Sequence, residues 1–387
     1  MTPKTRAVLA LGLAQTMAWG GSYYIPAILA VPIARDLELG VPTVFAVFSA
    51  ALLLSAFVGP VSGRLIDRHG GHWVLVASNL LMSAGLLALG LAQALPGLLL
   101  AWALLGLGMG IGLYEAAFAT LARLFGTDAR GPITGITLFA GFASTVAWPL
   151  TTLLEAELGW RGACFVWAGI MPVLGLALNG ALLPRQPAPV AAVAGPAPTG
   201  PPPGMAALIM LAFVFAVAGF TSSAMAAHLP GLLALAGAGA ATVVLAGALL
   251  GPAQVAARLL EFGLLRRWNP LIAATLANAL HPLGVAALLL LGPPAAIADV
   301  LLHGAGNGML TVSRGTLPLA LFGAAGYGAR TGWLAMPARF ANAAAPALFG
   351  LMLEWWGMAA LGVTAALGLA AMLALRALSR SSVPARH

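Results

Sequence analysis

The stretch Gly63-Arg64-Leu65-Ile66-Asp67-Arg68-His69-Gly70 follows the second long apolar run of this 387-residue chain, and a weaker copy, Ala257-Arg258-Leu259-Leu260-Glu261, follows the eighth. A charged turn that recurs after corresponding apolar runs indicates a chain built of two related halves. The residues around these turns decide the class: 61% are hydrophobic, 7% are charged, and the mean hydropathy is +0.99. No soluble core needs so much apolar surface. A bilayer core near 30 Å is crossed by about 20 mainly apolar residues at about 1.5 Å each, and such runs fill nearly the whole chain. The expected fold class is an all-α polytopic membrane protein.

The formal charge of +8 does not point to nucleic acid, because the 18 Lys and Arg residues form no dense face and fall at the ends of apolar runs. The single cysteine, Cys164, cannot form an internal disulfide and sits in an apolar run, so no redox role is assigned to it. Lys4 and Arg6 before an apolar run resemble a signal peptide. That run is long, carries Gln15, Trp19 and Tyr23, and shows no convincing cleavage site, which favours an uncleaved first helix.

Glycine, proline and charge punctuate the chain into twelve spans at about 7–31, 42–62, 73–93, 97–124, 132–154, 163–183, 205–229, 238–262, 271–291, 295–322, 332–353 and 357–378. With a cytoplasmic N-terminus, the even turns hold Arg64, Arg68, Arg123, Arg130, Arg185, Arg258, Arg266, Arg267 and Arg330, and the tails add Lys4, Arg6, Arg376, Arg380 and Arg386. The opposite turns hold Arg35 and Arg161, with the acids Asp36, Glu38, Glu155, Glu157 and Glu354. This asymmetry puts both termini in the cytoplasm of a multi-pass inner-membrane protein. The Pro-, Ala- and Gly-rich stretch 184–204 is neither a span nor a short turn. It reads as a linker between an N-terminal bundle, 1–183, and a C-terminal bundle, 205–387, each of six helices. Gly59-Pro60 is echoed by Gly251-Pro252, Gly110 and Gly112 by Gly306 and Gly308, and Pro149 by Pro346, the signature of a parallel repeat.

Over essentially its whole length the chain resembles the major facilitator superfamily. The resemblance rests on Gly63, Asp67, Arg68 and Gly70, which match the family's G-x-x-x-D-R-x-G turn, although Gly71 and His72 stand where the family favours Arg or Lys. It implies two pseudo-symmetric bundles that rock around a midplane site, with helices 1, 4, 7 and 10 lining the cavity. The turn of Gly63, Asp67, Arg68 and Gly70 is expected to latch the cytoplasmic helix ends, with Asp67 meeting a helix N-terminus and a neighbouring Arg. Proton antiporters of the family commonly carry an Arg four residues before a Gly-x-Gly run in helix 4; here Trp102 precedes Gly106-Leu107-Gly108. Their helix 5 motif is also poorly matched by Gly135, Gly141, Ala147, Trp148 and Pro149. Trp148-Pro149 and Gly159-Trp160-Arg161 look more like the monocarboxylate and oxalate/formate branch.

Ionisable groups inside a bilayer are costly, about 2.5 to 3.5 kcal/mol for Arg or Asp at a helix centre on insertion scales, so those that occur need a reason. The tenth span carries Asp299, His303, Asn307, Thr311 and Arg314 at helical spacing, one polar stripe on one face. Glu115 is the only acid deep in the N-terminal half, and the repeat puts it near the depth of Arg314. The two either form a gate or coupling pair, or Glu115 makes a static bond to Arg123, Arg339 or the backbone. Arg314 is also a candidate anchor for an organic anion, because guanidinium grips a carboxylate in a fork. Asp299 and His303 are candidates for proton exchange, with a solvated helix end and a satisfied polar residue as the respective alternatives. In the first span Gln15, Trp19, Ser22, Tyr23 and Pro26 offer a flat aromatic surface with a few donors. His228 and His281 read as helix-end or interhelix hydrogen-bonding groups. Gly106, Gly108, Gly110 and Gly112 have no preceding strand and no Lys-Ser/Thr after them, so they read as helix packing and not as a nucleotide loop.

The substrate-binding candidates are therefore Gln15, Trp19, Tyr23, His303, Asn307, Thr311 and Arg314, and the gating or proton-coupling candidates are Glu115, Asp299 and Arg314. The expected function is secondary active transport of a small organic anion such as a monocarboxylate, with protons as the coupling ion, by a monomer in contact with membrane lipid. No cofactor, metal or nucleic acid is expected, and no enzymatic cluster of nucleophile and base is present. Efflux of hydrophobic drug-like compounds and a non-transporting receptor on the same fold are the alternatives.

Overall fold

The computed structural model describes residues 2–184, 204–264 and 268–381. The expected linker, apart from its end residues, and the expected cytoplasmic bases Arg185, Arg266, Arg267 and Arg386 lie outside them. Among the described residues there is no strand. The described residues form fourteen α-helices in order: α1 (Pro3–Gly20), α2 (Ile25–Asp36), α3 (Val41–His69), α4 (Gly71–Leu91), α5 (Leu95–Gly112), α6 (Tyr114–Phe125), α7 (Arg130–Ala140), α8 (Ala143–Gly175), α9 (Met205–Leu235), α10 (Ala240–Gly263), α11 (Pro270–Leu291), α12 (Ala296–Phe322), α13 (Tyr327–Trp356) and α14 (Ala360–Ser381).

Several of the twelve expected spans are built from two helices. The first is α1 and α2, parted by the turn after Gly20; the fourth is α5 and α6, parted at Leu113; the fifth is α7 and the first part of α8. Within α8 the backbone breaks once, at Gly159, where φ is 70°. Only a residue without a Cβ adopts that conformation cheaply, so one glycine divides the fifth span from the sixth. The sixth ends in a π-helical stretch, Leu176–Leu182. The eleventh starts earlier than expected, at Tyr327 and not near 332. Among the described residues eight helical stretches are long and apolar enough to cross a membrane, and two of them, Leu95–Leu182 and Tyr327–Ser379, are long enough to contain more than one pass. α12 is not among the eight, which follows from its stripe of Asp299, His303, Asn307, Thr311 and Arg314.

Apolar residues face outward as well as inward. Only 17% of the apolar window of α10 is buried, and Leu290 is 82% exposed, as expected where lipid replaces water as the solvent. Trp73, Trp268, Trp355 and Trp356 are exposed near helix ends, where amphipathic rings suit a membrane interface.

The chain divides into two compact units. The N-terminal unit holds α1 to α8 and also Ala324–Trp333, the start of α13; the C-terminal unit holds α9 to α12, the rest of α13 and α14. In the N-terminal unit one face of α5 packs on α3: a Cβ at Gly106 would lie 2.6 Å from Ala51 O, and one at Gly110 would lie 3.0 Å from Ser55 O. The intervening glycines serve α4, with Gly108 against Met82 and Gly112 against Ser78. In the C-terminal unit α12 repeats the device. Gly304 and Gly308 meet Leu250 O and Gln254 O of α10, and Gly306 meets Ala277 O of α11. Both ladders alternate between two neighbouring helices, α3 and α4 in one unit and α10 and α11 in the other. Helix packing in lipid relies on such close approach because apolar burial supplies no bias between lipid and protein.

Candidate functional site

The turn Gly63–Gly70 closes the end of α3. Gly70 has φ 87° and ends the helix. Asp67 accepts hydrogen bonds from the Gly328 and Ala329 amides, Oδ1 at 2.9 Å and Oδ2 at 2.8 Å. Those are orphan donors at the start of α13, and a carboxylate there also meets the positive end of the helix dipole. Arg123 donates to the backbone carbonyls of Asp67 and Arg68. A Cβ at Gly63 would lie 1.9 Å from Gly328 O, so that position admits no side chain. Arg68 itself is exposed.

A second cluster forms where helices of the N-terminal unit break. Gln15 Nε2 donates to Gly112 O at 2.7 Å, supplying a partner to the last carbonyl of α5 where Leu113 leaves the helix. The other end of that amide, Oε1, is buried without a partner, as is Trp19 Nε1. The ring of Trp19 lies 5.1 Å from those of Tyr23 and Tyr114, and Tyr114 stacks on Phe118 at 5.3 Å. Glu115 occupies the first turn of α6, half-buried, where the helix dipole favours an acid. It lies within electrostatic range of the buried Tyr327. Trp102, the residue at the expected Arg position, is buried against Phe48.

The third cluster is in the C-terminal unit. α12 does carry its polar residues along one stripe, but they have different surroundings. Asp299 is buried with Oδ1 unpartnered, and Gly284 of α11 lets the carboxyl approach that helix. His303 Nδ1 lies 3.1 Å from Nδ1 of His281 on α11, and His281 Nε2 lies 2.9 Å from Thr364 Oγ1 on α14. Thr311 Oγ1 donates to Asn307 O at 2.9 Å and accepts from Arg258 at 3.5 Å. Arg314 is half-buried two turns beyond Asn307. A recess with about 350 Å³ of empty space is lined by Thr221 and Ser222 of α9, Asn278 and His281 of α11, and His303 and Asn307 of α12, with apolar residues completing the wall. Thr221 Oγ1 is buried there without a partner. Among the described residues no group of His, Cys, Asp and Glu is arranged to hold a metal ion.

His228 bonds Pro346 O at 2.8 Å, the interhelix role expected of it. His281 has more than that role: it joins His303 to Thr364. Sequence spacing could not pair it with His303, because the two lie on different helices. Spans expected to be continuous break where Gly20-Gly21, Gly112 and Gly141 stand.

A family model of the Major Facilitator Superfamily matches residues 11–313. The chain belongs to the Major Facilitator Superfamily. It is a multi-pass membrane protein of a transporter family. It is 33% identical over 141 residues to monocarboxylate transporter 3 of Rattus norvegicus, a match covering 35% of this chain and 28% of that protein. It is 28% identical over 153 residues to the oxalate:formate antiporter of Oxalobacter formigenes, covering 39% of this chain and 36% of that one. Multidrug resistance protein MdtG of Citrobacter koseri is 35% identical over 128 residues, 33% of this chain and 31% of the relative. The matched stretches thus span about a third of the relatives' own length. The structure of the human organic anion transporter MFSD10 is similar across 97% of this chain and 100% of that chain, with a TM-score of 0.77 at 15% identity. The E. coli fucose:proton symporter FucP, covering 97% and 99%, has a TM-score of 0.70 at 13% identity. In this superfamily member Glu115 of α6, His281 of α11 and Asp299, His303 and Arg314 of α12 are ionisable groups carried within otherwise apolar helices.

Proposed function

We propose that the chain transports a small organic anion, such as a monocarboxylate, together with a proton by alternating access. The observation that carries this reading is the polar stripe of α12, an otherwise apolar membrane helix that holds Arg314 beyond a recess lined by His303 and Asn307. A fixed guanidinium offers a carboxylate a forked pair of donors in a medium where neither charge is well solvated alone. The relatives named for monocarboxylate and for oxalate and formate support the same solute class. Glu115 and Arg314 are the proposed gating residues, and Gln15, Trp19 and Tyr23 the proposed contacts to the apolar part of the solute. The termini are proposed to be cytoplasmic, in an inner membrane, on the bias of Lys and Arg among the turns. The protein is proposed to act as a monomer.

Counterflow tests the solute class. Proteoliposomes preloaded with unlabelled lactate, pyruvate, oxalate or formate should accumulate the labelled form of at least one, and Arg314→Gln and Glu115→Gln should each abolish it. A second reading, efflux of hydrophobic compounds, is favoured by the ring cluster of Trp19, Tyr23, Tyr114, Phe48 and Trp102 and by the likeness to a multidrug resistance protein. Extrusion of a lipophilic cation without any carboxylate counterflow would select it.

A further inference from the structure

The hydrogen bonds around His281 have a direction. When Thr364 donates its hydroxyl proton to Leu361 O, 2.9 Å away, its oxygen accepts from His281 Nε2, also at 2.9 Å, and this is the arrangement the proposal below takes. His281 therefore carries its proton on Nε2 and presents a lone pair at Nδ1. The 3.1 Å contact between the two Nδ1 atoms then requires the proton on His303. His303 is left with Nδ1–H used and Nε2 bare, and among the described residues Nε2 makes no hydrogen bond. The chain from Leu361 to His303 thus fixes one imidazole as an acceptor beside the recess. A ligating or catalytic imidazole is commonly set in this way by the bond its other nitrogen makes.

The recess has the remaining parts of a ligand site. Thr221 Oγ1 is unpartnered and Thr221 is 7% exposed. Ser222 and Asn307 add a hydroxyl and an amide to the same wall. Its wall has the character of small-molecule sites, mainly apolar with a few convergent polar groups. The charged and titratable groups on the surrounding helices are few. α12 supplies Asp299, one turn from His303, and Arg314, three turns from it; α10 supplies Arg258, which bonds Gly308 O at 3.3 Å, and Glu261; α9 supplies His228, held by Pro346 O; α14 supplies none before Arg376.

We propose that this recess in the C-terminal unit binds a small monocarboxylic acid and that His303 Nε2 takes its proton, leaving a carboxylate held by imidazolium, Thr221, Ser222 and Asn307. The step moves one proton from acid oxygen to ring nitrogen and changes no other bond. His281 and Thr364 are positioning residues that fix the tautomer. The proposal rests on the carboxylate reading above: Arg314, two turns beyond Asn307 along α12, meets the anion first, and the recess is the second position, where the proton is carried.

Nitrogen NMR of the full chain, labelled with ¹⁵N-histidine in lipid nanodiscs, tests it with pyruvate as the probe. The six histidines are assigned from single His→Gln variants, and the shared Nδ1–H···Nδ1 bond identifies the pair in the unsubstituted protein if H281Q or H303Q fails to fold. Without ligand, His303 Nε2 should give a bare-nitrogen signal and His281 Nε2 a protonated one. Saturating pyruvate should convert His303 Nε2 to the protonated form, and Asn307→Ala should raise the pyruvate needed by about tenfold, the loss of one hydrogen bond to a charged group. A His303 Nε2 that stays bare in a preparation that transports pyruvate overturns the site and leaves the carboxylate reading standing. The same spectrum in a preparation that transports no carboxylate overturns both.

Discussion

Asp67 uses both carboxylate oxygens on consecutive amides of another helix, which is why a neutral amide is a poor substitute. Asp67→Asn keeps one acceptor, turns the other into a donor facing an N–H, and removes the charge from the dipole's positive end. Thermal unfolding of the purified protein should show a loss of about 0.5–2 kcal/mol, and Asp67→Glu should not restore it, because the longer side chain moves both oxygens. Gln15→Leu should cost about 1–3 kcal/mol by the same measurement, because it leaves Gly112 O buried without a donor. A drop no larger than that of an exposed substitution would remove the role given to Gln15. The sequence made Asp67 legible because its motif is local. Gln15 was legible only as a polar residue on an aromatic face, since its partner lies 97 residues away.

Helix length and order were readable from apolar runs, because the bilayer imposes one span length on every element. The breaks were not, because a broken span has the same composition as a continuous one. Gly112 both adjoins the break of α5 and sits against α4: a Cβ there would lie 1.7 Å from Ser78 Oγ and 2.4 Å from its Cβ. Gly112→Ala should therefore destabilise by about 1–3 kcal/mol, and Ser78→Gly in the same chain should recover part of it. Gly308→Ala differs in kind, since the atoms it meets are the backbone of Gln254, the nearest at 2.4 Å. No substitution at Gln254 should rescue it. Thermal unfolding of both pairs as double-mutant cycles checks the contrast, and equal rescue at the two sites would contradict the packing described. The polar stripe of α12 was legible for the opposite reason: its 3.6-residue period is local to one helix. Its partner His281 was missed because it belongs to α11.

At the scale of the molecule, a parallel repeat explains why the glycine ladders of α5 and α12 pack alike on α3 and α10, and why the ionisable groups nevertheless differ. The N-terminal unit keeps one deep acid, Glu115, among aromatic rings; the C-terminal unit keeps the stripe that ends in Arg314. That asymmetry is the basis for reading the chain as a carrier of organic anions with a proton. The decisive measurement is the internal pH of proteoliposomes as small carboxylates are added one at a time, corrected with protein-free liposomes for passive entry of the neutral acids. The account predicts acidification that saturates with at least one carboxylate and disappears in Arg314→Gln; no saturable response to any carboxylate, or one that Arg314→Gln leaves intact, would contradict it.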